Sequence, residues 1–384
     1  MNREEIDILL NKAEHAAIKG DHDAFKEVFP NVGNNPLPAY WYGTDCNIPW
    51  CKISVQYPHI RYLFLKEHHF DSWEKFTEYI QSLDNSESTD TQFELAAQAI
   101  ISGDITTLQE LVQKNPSLIA ARSRRSHRAT LLHYVGANGI EWYRQKTPAN
   151  IIAIAELLLQ AGADINAVAD MYSKDTTIGL VATSFHPYKA GVQNELLEFL
   201  LNNGAVMHAL PGENLITACL ANGRQYAAEF LAGKGAEINL EGAAGLGLLN
   251  KVKSFFNEDK SLPHNISVRH LQNGFCWACE YNRPAIVEFL LTRGIDAGTQ
   301  QKGLHWAAIA GHTEIIQIFL DRKAPLETRN EYGGTVLGAA LWGAYNNGER
   351  KDFKPVVQML IDEGADVNVG DLKQYADKVL SGKL

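Results

Sequence analysis

Cys276-Trp277-Ala278-Cys279 has the spacing that redox and zinc sites use, with two thiols three positions apart. A tetrahedral zinc site of this kind needs a second such pair, and the chain has none. Cys46 and Cys51, followed by His59, His68 and His69, offer the right atoms for a metal, but their spacing fits no zinc pattern. His133 and His305 invite reading as an acid–base pair. Arg122, Arg124, Arg125 and Arg128, with His127 among them, bring enough guanidinium groups together to hold a phosphate or an acidic partner. Glycine-rich phosphate loops, Gly-x-Ser-x-Gly elbows and His-Glu-x-x-His helices are missing from the sequence, and its carboxylates are scattered. Catalysis therefore has no positive support: the expectation is a protein that is not an enzyme, with no cofactor and no metal.

The elements that would position these residues come from a repeat. Lys302 to Gly334 holds a short helical pattern through Leu304, Ala307 and Ala308, ending at Gly311. A second stripe follows through Ile315, Ile316, Ile318, Phe319 and Leu320. Such a pair hides too little apolar surface to offset its chain entropy, so it needs copies stacked on both sides. The second stripe recurs at Ile154–Leu159, Leu196–Leu201, Ala227–Leu231, Ile286–Leu291 and Val356–Ile361. Its polar member, Glu156, Glu198, Glu229, Glu288, Gln317 and Gln358 in turn, predicts one solvent-facing column. Gly162, Gly204, Gly235, Gly294 and Gly364 follow, where a left-handed residue closes a helix.

Thr130-Leu131-Leu132-His133 and Gly303-Leu304-His305 open the first helices. With the stripes and turns above, they make about three quarters of the chain resemble the ankyrin repeat family, whose repeats begin Thr-Pro-Leu-His. The resemblance implies an all-α solenoid of about eight helix-pair repeats, some degenerate, with loops projecting at right angles. It also puts His133 and His305 at the repeat's own histidine position, where the imidazole ties hairpins together, and turns Cys276 and Cys279 toward the core as small hydrophobes.

Ahead of the repeats, residues 1–90 read as a small helical N-terminal segment, 91–371 as the repeats, and 372–384 as a capping helix. Asp21 and Asp71 or Ser72 are expected to cap N-terminal helices, Asn31 to Trp50 to form an aromatic-packed loop, and Leu83 to Thr91 to be a linker. Phe64–Trp73, Tyr143–Pro148 and His186–Gln193 are similar to segments of a group of uncharacterised bacterial ankyrin repeat proteins. Repeat spacing stretches near Gly139–Asn150, Phe185–Gln193 and Ala344–Lys354, and insertions of this kind project from one edge of a repeat array. Trp142, Tyr143, Arg144, His186, Tyr188 and Tyr345 stand on that insertion edge.

A formal charge of -10 over 384 residues argues against nucleic acid and anionic membrane as partners. An odd five cysteines, an opening rich in charge and no long apolar run fit a cytoplasmic protein, expected here to be a monomer. What the resemblance implies is a scaffold or adaptor that binds a protein through the concave face and hairpin tips. Transferred position by position, the contact residues are Asn138, Thr183, Asn222, Glu280, Tyr281, Ile309 and Trp342 on first helices, with Met171, Tyr172 and Tyr332 on hairpins. Arg122, Arg124, Arg125 and Arg128 are a possible anion contact. A small-ligand or regulatory pocket lined by the insertions is the alternative, as is a bacterial effector acting through its N-terminal segment.

Overall fold

The computed structural model describes residues 3–19, 21–29, 57–136, 141, 144–171, 175–207, 214–259, 261–264, 266–347 and 351–383. The described residues are helical, and one isolated bridge, Val168 to Thr176, is the sole β pairing among them. The expected aromatic loop from Asn31 to Trp50, with Cys46, lies outside them, as does Cys51. Contacts divide the chain into two compact units, residues 1–215 and 216–384, a division that falls inside the repeats.

The first unit opens with α1 (Arg3–Lys19), α2 (His22–Val28), α3 (Tyr57–Glu67) and α4 (Trp73–Ser82). Asp21 caps α2 by accepting from the Ala24 amide, and Ser72 caps α4 by accepting from Lys75. Ile6, Leu10, Phe25, Phe29, Ile60, Phe64, Phe70 and Phe76 close these helices around an apolar core of their own. The stretch read as a linker is instead a bonded turn: Ser82 Oγ donates to Asp90 and Ser88 Oγ to the Ser82 carbonyl. Short polar side chains there satisfy the helix ends, which a composition-based reading takes for flexibility.

Helix pairs follow. In the first unit they are α5 (Thr89–Ser102) with α6 (Ile105–Lys114), a 3₁₀ turn (Leu131–Val135) with α7 (Ile151–Gln160), and α8 (Thr177–Thr183) with α10 (Gln193–Asn202); the short α9 (Phe185–Lys189) occupies the insertion. The second unit has α11 (Leu215–Ala221) with α12 (Gln225–Gly233), α13 (Leu240–Leu246) with α14 (Leu249–Lys253), and α15 (Val268–Glu280) with α16 (Pro284–Leu291). It continues with α17 (Ala297–Ile309) and α18 (Thr313–Leu320), then α19 (Val336–Asn347) and α20 (Lys354–Asp362), and ends on α21 (Leu372–Leu380). Within this unit α13, α15, α17 and α19 pack in succession, as do α14, α16, α18 and α20.

The polar column is exposed at all six positions from Glu156 to Gln358, and the apolar stripes around it are buried. Gly162, Gly204, Gly235, Gly294 and Gly364 have φ of 95, 94, 94, 78 and 91°, the left-handed ending that glycine favours. One expectation fails locally. Between α16 and α17 no hairpin projects: Asp296 accepts from the Thr299 amide and starts the next helix at once. Both α15 and α17 are 13 residues long, so helix replaces the finger.

Candidate functional site

In the second unit, Ala278, Ala307 and Ala340 are fully buried on α15, α17 and α19, which fixes a common register. Two positions further along, Glu280 and Ile309 are half-buried and Trp342 is 59% exposed. A Cβ on Gly343 would strike the Ile309 carbonyl oxygen, so only glycine lets α19 approach α17 this closely. In that register Trp342 on α19 corresponds to Ile309 on α17. Opposite α17, the turn carrying Arg329, Asn330, Glu331 and Tyr332 closes a groove of about 220 Å³ with His305, Trp306 and Ile309. Tyr332 is 87% exposed and Tyr345 70%.

The turn is held from behind. His305 lies between the carbonyls of Gln301 (2.9 Å) and Thr328 (3.1 Å), the hairpin tie expected at this position. His133 accepts from the Thr130 amide through Nδ1, and burial, opposed by the main chain of Ala167 and Asp175 in the following hairpin, lowers its pKa to about 4. Cys276 and Cys279 are buried, and burial raises both thiols. Neither histidine nor thiol is poised for chemistry.

Other expected contact residues are placed differently. Thr183 and Met171 are buried, and the Thr183 hydroxyl donates to the Gly179 carbonyl, so neither is open to a partner. Tyr281 is half-buried and its hydroxyl donates to the Leu220 carbonyl on α11, which makes it a tie reaching back past the α13–α14 pair. Asn222 is exposed, its amide turned back on the Ala218 carbonyl. Asn138, Tyr172, Trp142 and Tyr143 lie outside the described residues. On α9, His186 and Tyr188 are half-buried.

The arginine run is spent inside the first unit. Arg122 donates to the Arg128 and Val168 carbonyls, Arg128 to the Ser123 carbonyl, and Arg124 pairs with Asp90 and Glu78. Arg125 is buried against Glu141 (3.2 Å) and Glu94 (3.5 Å). Arg144, expected on the insertion edge, turns inward to the same two carboxylates. Arg125 and Arg144 are thereby taken up by carboxylates, which removes the guanidinium group from the expected insertion pocket, whereas Arg122, Arg124 and Arg128 remain exposed.

Glu141 is the centre of this cluster and was not among the residues singled out from sequence. It is wholly buried, sits at φ 50°, and accepts from His127 Nε2 (3.0 Å) and the Tyr134 hydroxyl. Burial works to raise its carboxyl, but Arg125, the His127 bond and Arg144 outweigh burial and hold it below the usual range. Two carboxylates face two guanidiniums, so the charge balances. The turn at His68-His69 is bound to it: Arg125 donates to the His68 carbonyl, Ser126 to the His69 carbonyl, and the Glu141 amide to His69 Nε2. A hydrogen-bonded, charge-neutral cluster of this kind ties segments together.

Fold and surface together define a protein of helix-pair repeats with an exposed aromatic face on its second unit. Residues 275–371 match the family model for ankyrin repeats in three copies. The crystal structure of the human ASB11 ankyrin repeat domain aligns over 72% of this chain and 98% of that chain, at 20% identity and a TM-score of 0.34. Among curated proteins nothing matches. No helix among the described residues is long and apolar enough to cross a membrane.

Proposed function

We propose that the chain is a non-catalytic, cytoplasmic adaptor, monomeric on its own, that holds a protein partner on the face of its second unit formed by Ile309, Tyr332, Trp342 and Tyr345. The observation that carries this reading is the exposure of Trp342 and Tyr345 on α19, at 59 and 70%, together with that of Tyr332, at 87%, on the 329–332 turn that closes the groove against α17. Large aromatics left in water beside a preformed groove are the side chains that concentrate binding energy when a partner covers them. The ankyrin match over residues 275–371 supports a protein-binding role, since such repeats are generally protein-interaction modules.

The test is Tyr332→Ala combined with Trp342→Ala. Because both side chains are exposed, melting temperature should stay within a few degrees of the parent, while affinity capture from the native organism should lose its partner. A capture profile unchanged by the double variant would sink the reading.

A further inference from the structure

Resting on that reading of the second unit, we infer that Glu280 is the receptor for a lysine or arginine side chain of the partner, presented by a segment that also covers Ile309 and Trp342. The three residues hold one register on α15, α17 and α19. Neighbouring helices pack about 8–10 Å apart, so the column is about 16–20 Å long, the reach of roughly six extended residues. At one end stands an exposed indole, in the middle an apolar side chain, and at the other a half-buried carboxyl.

No hydrogen bond or ion pair engages that carboxyl among the described residues, and the cations around it are occupied. Arg283 donates to the Gly245 carbonyl and pairs with Glu229 at 3.7 Å. Lys351 donates to the Ala310 carbonyl and to His312 Nδ1, and His312 in turn directs Nε2 at the main-chain oxygen of Glu280, not its carboxyl. Burial alone pushes the Glu280 carboxyl up to about 7. A carboxylate that burial makes costly to ionise is one that an incoming cation stabilises, and the acidic chain favours approach of a basic segment.

The groups facing Glu280 leave it as the titrating member near neutrality. Cys276 on α15 and Tyr281, which caps it, feel its charge, and burial raises both, so they stay protonated. From the α17 side His312 is lowered to about 4 by burial, then by Lys351, and remains neutral. Glu241 on α13 accepts from Asn273. Binding of a cation therefore requires Glu280 to lose its proton, and affinity falls as pH drops through 7.

The experiment selects phage-displayed random dodecapeptides on the full chain at pH 8 and measures the recovered peptides as synthetic probes. Recovered peptides should share one Lys or Arg beside apolar residues, and replacing it by citrulline or norleucine should weaken binding at least about tenfold. Glu280→Gln should show the same loss, with no further loss for the citrulline probe. Affinity for the parent should fall about tenfold between pH 8 and pH 6, and that slope should vanish in Glu280→Gln. Peptides that lose binding with Trp342→Ala yet bind Glu280→Gln unchanged would overturn the cation receptor while leaving the docking face standing. Peptides indifferent to Trp342→Ala, Tyr332→Ala and Glu280→Gln alike, or a selection that yields none, would overturn both.

Discussion

At Glu141 a carboxylate with no access to water faces Arg125, Arg144 and His127, and each of those groups was chosen by chemistry visible in its bonds. His127 accepts from the Ala129 amide at Nδ1, which leaves Nε2 to carry the proton it gives Glu141. His69 accepts from the Glu141 amide, and burial, with His127 next, lowers it to about 4. Glu141→Gln removes the charge but keeps the shape, leaving two guanidiniums against Glu94 alone. Removing one member of a buried pair costs about 3–5 kcal/mol, and the denaturant midpoint at pH 7 should fall accordingly. The sign with pH follows from the depressed folded pKa: this stabilisation is present above the ordinary glutamate range and is lost as pH falls toward the folded value. Parent and variant should therefore converge in acid, and a gap that stayed constant from pH 7 to pH 3 would count against the ion pairs as its source.

Helices carried most of what could be read in the chain beforehand. Period and punctuation place the second helices, because a stripe buried on one side and a glycine at φ near 90° are both local requirements. Tyr332, Trp342 and Ile309 were legible for the same reason, since register alone puts them on the outward end of a first helix or on a turn. The exceptions arise where contacts distant in sequence decide. Arg125 and Arg144 look like surface cations until Glu141 and Glu94 are brought to them, and Tyr281 looks like an anchor until the Leu220 carbonyl takes its hydroxyl. Glu141 itself gave no signal, although two segments singled out by resemblance, Phe64–Trp73 and Tyr143–Pro148, contribute His68, His69 and Arg144 to its surroundings. The seventh pair shows the local rule broken and suggests a test. Lys323 stands where its neighbours have glycine and holds φ 54°. A side chain in the left-handed region costs about 1–2 kcal/mol, partly offset by glycine's greater freedom when unfolded. Lys323→Gly should raise stability by about 0.5–1 kcal/mol; a fall in melting temperature would mean that the lysine makes contacts outweighing its backbone.

Taken as a whole chain, the protein places its acid-labile groups unevenly between the two units. Burial is the leading cause that lowers His68 to about 3 and His69 and His133 to about 4, all in residues 1–215, against an ordinary 6.5. A histidine with a lowered folded pKa binds its proton more readily when unfolded, so its contribution is intact above 6.5 and is lost as pH falls toward the folded value. At pH 5.5 each such group costs about 1.4 kcal/mol, or roughly 4 kcal/mol for the three, a large part of a typical domain's stability. His186, lowered by burial and by Lys189, pushes the same way. In residues 216–384 two groups oppose each other. His312, at about 4, loses stability on acidification, whereas Glu280, raised to about 7, gains it because the folded state takes up the proton first. The two changes are of similar size, about 1.2 and about 1.6 kcal/mol between pH 7 and 5.5, and largely cancel. Hydrogen exchange on the full chain, corrected for the intrinsic rate, should lose protection in residues 57–136 on going from pH 7 to 5.5 while residues 268–362 hold theirs. In Glu280→Gln the second unit loses its compensating group, so its protection should then fall as well. Equal loss in both units of the parent, or a second unit untouched by Glu280→Gln, would show that these buried groups do not set the response to acid.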